Sequence, residues 1–153
     1  LYNEDTGDFR IVESALRGGG VYISSHLIPF YCGIDVNNIL LDCVEGKEVN
    51  MSKVLSTAKY RAAGYVCFYL PEGNIVSLNI NWEYFNQPFV LRHNLSDLQI
   101  GFKTAKNTDK TSRYTIVVEA DSKEKLRFLL DEIPNHIDIK VSNQKGLHSA
   151  IWK

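Results

Sequence analysis

The run Tyr65-Val66-Cys67-Phe68-Tyr69-Leu70 is almost wholly apolar and lies between Gly64 and the turn-forming Pro71-Glu72-Gly73-Asn74. A short apolar run with such boundaries reads as a strand covered on both faces. A strand of that kind needs neighbours in a sheet and helices packed on the sheet. The 153-residue chain is long enough to supply them within one domain, because a chain of that length buries roughly two thirds of its unfolded surface without a disulfide or metal.

Around this strand the pattern predicts a single α/β (α+β) domain with a mixed central sheet. Asp8 to Arg17 reads as a helix with Phe9, Val12 and Leu16 on one face and Glu13 beside them; Gly18-Gly19-Gly20 ends it. Val21 to Ile28, Phe30 to Val36 and Ile39 to Val49 read as three strands, the last two joined by a tight turn at Asn37-Asn38. A helix is expected over 52–63, capped by Asn50 or Ser52. Strands follow at Ile75 to Ile80, at Leu95 to Phe102 and at Tyr114 to Glu119. A helix from Ser122 to Ile133 and a strand from Ile137 to Val141 complete a C-terminal β-α-β unit, with Asp121 and Glu124 at capping-box spacing. Residues 8–75 thus form a core and 76–153 a strand-rich extension.

Charge limits the partners. The net charge of −1 argues against a general nucleic-acid coat. Residues 76–153 nevertheless carry nine acids against eleven Lys and Arg, and Lys103, Lys106, Lys110 and Arg113 cluster around a polar loop over 104–112. That loop is either simply solvated or in contact with phosphates. The three cysteines, Cys32, Cys43 and Cys67, sit in apolar runs without zinc spacing and are expected as buried free thiols of a cytoplasmic or otherwise intracellular protein. No run reaches the ~18–20 apolar residues of a membrane span, and no membrane partner is expected. The chain begins at Leu1, consistent with a piece of something longer.

The residues with the most chemical content are Asp35, Glu45 and Lys47. Carboxylates hold hard cations, and a neighbouring lysine can steady a water or a developing negative charge. On the predicted third strand, alternation places Leu41, Cys43, Glu45 and Lys47 on one face.

The predicted order of helix, three strands, helix, strand over 8–70, with Gly33-Ile34-Asp35-Val36 and Val44-Glu45-Gly46-Lys47 in it, resembles the core of the PD-(D/E)xK nucleases, which include Holliday-junction resolvases and many restriction endonucleases. The resemblance implies a metal-dependent endonuclease that hydrolyses nucleic-acid phosphodiester bonds. It implies Asp35 and Glu45 as ligands of a shared Mg²⁺, Lys47 as the water-positioning or charge-stabilising group, and Glu13 as an accessory acid. Lys59, Arg61, Lys103, Lys106 and Lys110 would then hold phosphates, and a homodimer would serve to cut two strands.

Two other readings stand beside it. One is a non-catalytic nucleic-acid-binding module in which Trp82, Tyr84, Phe85 and Phe89 either stack on bases or build a core. The other is an interaction or assembly domain cropped from a larger viral or bacterial protein. His26, His93, His136 and His148 form no ligand motif, and Gly18-Gly19-Gly20, between a helix and a strand, is no phosphate loop.

Overall fold

The computed structural model describes residues 3, 5–8, 20, 22–105 and 113–153. The predicted helix over 8–17 falls outside these residues from position 9 onward, and with it Glu13; Lys106 and Lys110 lie outside them as well.

The fold is α+β, and the described residues build two four-stranded sheets. The strands are β1 (Ala62–Tyr69), β2 (Gly73–Ile80), β3 (Val90–His93), β4 (Lys103–Thr104), β5 (Arg113–Ala120), β6 (Ile137–Asn143), β7 (Gly146–Ser149) and β8 (Ile151–Trp152). One sheet has the order β3-β5-β1-β8, the other β4-β2-β6-β7. Every pairing among the described residues is antiparallel. The expected single mixed sheet is therefore replaced by two antiparallel ones. The β1–β2 turn around Pro71 carries the chain from one sheet to the other.

Alternation explains how the sheets share a core. On β1, Val66 and Phe68 face the same way; their partners on β5 are Ile116 and Tyr114. Phe68, Tyr114 and Ile116 join Ile75 and Ile80 of β2 and Ile137, Ile139 and Val141 of β6 in one buried cluster. Thr115 and Val117, on the opposite face of β5, are buried too. The first-noted apolar run is thus a strand with packing on both sides, although Tyr65 remains exposed.

The C-terminal β-α-β unit forms as expected in element order but not in pairing. Its helix, α5 (Lys123–Glu132), is capped by the Ser122 hydroxyl, which accepts the Lys125 N–H at 3.1 Å. It packs on β1 and β5, and a Cβ at Gly64 would lie only 3.3 Å from Leu130 Cδ1. The strands on either side of it, β5 and β6, belong to different sheets.

The segment 22–49 is where the structure departs furthest from the sequence pattern. In place of three strands it contains a π-helical turn (Ile23–Leu27), α1 (Ile28–Cys32) and α2 (Val36–Val44). The apolar positions Val36, Ile39, Leu40, Cys43 and Val44 follow helical spacing, and it is this period that prevails. Asp35 starts α2 as its N-cap. Gly46, at φ 74°, ends it, with the Lys47 N–H returning to the Asp42 carbonyl at 2.9 Å. Gly46 is therefore a helix terminator and not a strand interior. Asn50 caps α3 (Met51–Ser56) through a 3.0 Å bond from the Lys53 N–H, as the sequence suggested, though the helix is shorter than expected. Two further points concern the second half, one of them a correction. Trp82–Phe85 forms a one-turn helix, α4, and the expected strand over 95–102 is a 3₁₀ turn at Leu95–Asp97 followed by loop.

Candidate functional site

Asp35 and Glu45 bracket one helix. The Asp35 carboxylate accepts the backbone N–H groups of Asn37 and Asn38, each at 3.1 Å, and the Asn38 side-chain amide at 2.9 Å. It serves as the cap of the helix. Glu45 is the C-cap of the same helix. Ten residues at the helical rise separate the two by roughly 15 Å along the axis. The expectation that they project from adjacent strands into one cleft is corrected: α2 holds them apart, whereas a Mg²⁺ ion demands its oxygens at about 2.1 Å. Among the described residues, no group of three or more His, Cys, Asp and Glu side chains is placed to hold a metal ion.

Glu45 and Lys47 do meet. Because the chain turns back at Gly46, the Lys47 ammonium lies 2.7 Å from Glu45 and 2.8 Å from Asp42. The hydrogen bond to Asp42, and next that to Glu45, raise the Lys47 pKa above its ordinary value. All three side chains are largely in solvent, where such contacts contribute little to stability. The cluster is a solvent-exposed ion-pair group at the helix end, with one ammonium shared between two carboxylates.

The remaining basic candidates are dispersed. Arg61 precedes β1 and reaches Glu119 at 3.8 Å. Lys59 donates its backbone N–H to the Cys32 carbonyl at 3.0 Å, tying the segment before β1 to the end of α1. Lys103 lies on β4, beside a groove of about 560 Å³ that Lys145, Glu72 and Asn143 also line. No one surface of the described residues is shown to unite these cations.

The aromatic set belongs mainly to the core. Phe85 is buried, and Tyr84 stacks on His136 with ring centroids 3.6 Å apart and meets Phe85 and Phe89 edge-on. Burial, and secondarily the charge of Glu132, raise the Tyr84 phenol pKa; its hydroxyl is buried and meets no partner among the described residues. Trp82 alone of the four stays substantially exposed. The thiols are free as expected, with Cys32 and Cys67 buried and Cys43 exposed.

What the strand reading concealed is the apolar character of α2. None of its nine residues is buried. Leu40, Leu41 and Val44 are 53%, 59% and 85% exposed, and their i, i+3 and i, i+4 spacing puts them on one side of the helix. Met51 and Leu55 of α3, also exposed, are likewise one turn apart. Tyr31 and Tyr60, both exposed, touch edge-on at 5.4 Å. No single helix among the described residues is long and apolar enough to cross a membrane. No protein family, curated protein or solved structure matches the chain.

Proposed function

We propose that this chain is an interaction module that packs the outer side of α2 against an apolar protein surface. The observation that carries this reading is the exposed stripe Leu40, Leu41 and Val44. A solitary exposed leucine has no special meaning, but a stripe along one helix, with more apolar side chains on α3, has the character of an interaction surface. Covering it would stabilise an assembly by about 1.5–3 kcal/mol per fully buried side chain, before the cost of association.

A protein surface is favoured over a bilayer because α2 has no Lys or Arg and one acid, Asp42. Helices that lie on membranes line their polar side with Lys and Arg. Packing is favoured over phosphodiester cleavage because Asp35 and Glu45 occupy opposite ends of α2.

With no other protein present, the stripe turns on a second copy. Sedimentation velocity of the isolated chain should then show self-association that grows with concentration. The Leu40→Glu/Val44→Glu double variant should remain monomeric with an unchanged circular dichroism spectrum. A wild-type chain that stays monomeric throughout, or a double variant that associates equally well, overturns the reading. Co-flotation of a monomeric chain with lipid vesicles would assign the stripe to a bilayer instead. Mg²⁺-dependent nucleic-acid cleavage that disappears in Glu45→Ala would restore the nuclease reading.

A further inference from the structure

A second concentration of unused polar groups lies between the π-helical turn and β3, and shares no residue with the α2 stripe or the Lys47 cluster. Here Tyr22, Phe85, Arg92, His93, Ser96 and Asp97 help to line a cavity of about 300 Å³. That volume is at the lower end of small-molecule sites.

The Arg92 guanidinium sits over the Tyr22 ring, 5.5 Å from its centroid. It forms no ion pair among the described residues. Stacking on a ring face leaves the N–H edge of a guanidinium available, and that planar fork matches a carboxylate or phosphate. The neighbouring His93 supplies a donor of defined position. Its Nδ1 accepts the Leu95 N–H at 3.3 Å, so the neutral ring carries its proton on Nε2. Burial, and then the charge of Arg92, hold the His93 pKa below its ordinary value and keep the ring neutral near pH 7. Ser96 adds a hydroxyl with no partner among the described residues.

Hydrogen bonds and ring contacts tie the surroundings together. Asn94 donates through Nδ2 to the Arg113 carbonyl at 3.2 Å and accepts the Thr115 N–H at 2.8 Å, which fastens the end of β3 to β5. The rings of Trp82 and Phe85 flank His93, at 5.9 and 6.2 Å. On the other side, Tyr22 has φ 60° and ψ 13°, and among the described residues it is the sole non-glycine with positive φ. It opens the π-helical turn Ile23–Leu27. A left-handed tyrosine and a π turn are each uncommon and recur where a structure holds a side chain for use.

We propose that this cavity binds the oxyanion of a small molecule, a carboxylate or a phosphate, through the Arg92 fork, with His93 Nε2–H and Ser96 as further donors. Asp97, an acid on the same lining, disfavours a second negative group on its side.

The test is titration of the whole chain with inorganic phosphate and, separately, with acetate, followed by calorimetry and by amide and side-chain NMR. Either anion should bind saturably and shift the signals of Arg92, His93 and Ser96. Loss of a charge-assisted pair in Arg92→Gln should weaken binding about tenfold or more, and Arg92→Lys, which keeps the charge without the fork, should recover part of it. Lys145→Gln, on the separate groove, should change nothing. Tighter binding of phosphate points to a phosphorylated ligand and tighter binding of acetate to a carboxylic acid; both support the site. The proposal is overturned if neither anion saturates, if Arg92→Gln binds as well as wild type, or if the shifts centre on Lys103 and Lys145.

Discussion

The Asp35 carboxylate grips Asn38 twice, taking its backbone N–H at 3.1 Å and its side-chain amide at 2.9 Å. With the additional bond from the Asn37 N–H at 3.1 Å, this makes Asp35 the residue that starts α2. Asp35→Ala should therefore destabilise the chain by about 1 kcal/mol, within the usual range of lost N-caps. Asp35→Asn should cost much less, since asparagine caps almost as well. Urea unfolding of the three proteins checks this. Equal losses in the alanine and asparagine variants would show that the carboxylate charge, and not the cap, is what matters at this position.

That cap also explains which parts of the fold were legible in the sequence. The runs around Phe68, Ile75, Ile116 and Ile139 are short, β-rich and bounded by turn residues, and each became a strand. Between Val36 and Val44 the apolar residues suit both a strand face and a helix face, so the decision falls to the ends. An aspartate before the run and a glycine after it are helix boundaries, and the same two residues also fit the metal-ligand position and the middle of the acid-x-lysine motif in the nuclease resemblance. The contact of Lys47 with Glu45 was legible because it is local. The cavity beside Arg92 was not, because Tyr22 and Arg92 are brought together by the fold and nothing near either one in the chain signals the other.

Gly73 and Gly46 both have positive φ, at 155° and 74°, but they should respond very differently to substitution. A Cβ at Gly73 would run into the Ser142 carbonyl oxygen and would lie 2.7 Å from Val141 Cγ1, whereas one at Gly46 would meet nothing within 4 Å. Gly46→Ala bears only the left-handed backbone cost, about 1–2 kcal/mol. Gly73→Ala must in addition part β2 from β6, which places it in the class of overpacked sites, with about 1–3 kcal/mol more. Thermal unfolding should rank wild type above Gly46→Ala, and Gly46→Ala above Gly73→Ala. The reverse order of the two variants would contradict this account of the β2–β6 pairing.

His93 gives the chain a pH dependence of definite sign. Its folded pKa is depressed, first by burial and then by Arg92, whereas in the unfolded chain it returns to about 6.5. Between the depressed value and about 6.5 the unfolded chain binds more protons than the folded one, so stability rises with pH across that window. The contribution is complete above about 6.5 and is lost as the solution is acidified through it. The informative quantity is a difference between proteins. His93→Gln keeps a side-chain acceptor within reach of the Leu95 N–H but removes the ionisation. Urea midpoints taken between pH 7 and pH 5 should fall more steeply for wild type than for His93→Gln, and NMR titration of the His93 ring should place its midpoint below the ordinary value. Parallel pH profiles, or a ring that titrates above 6.5, would mean that the imidazole is neither buried nor opposed by Arg92 in solution.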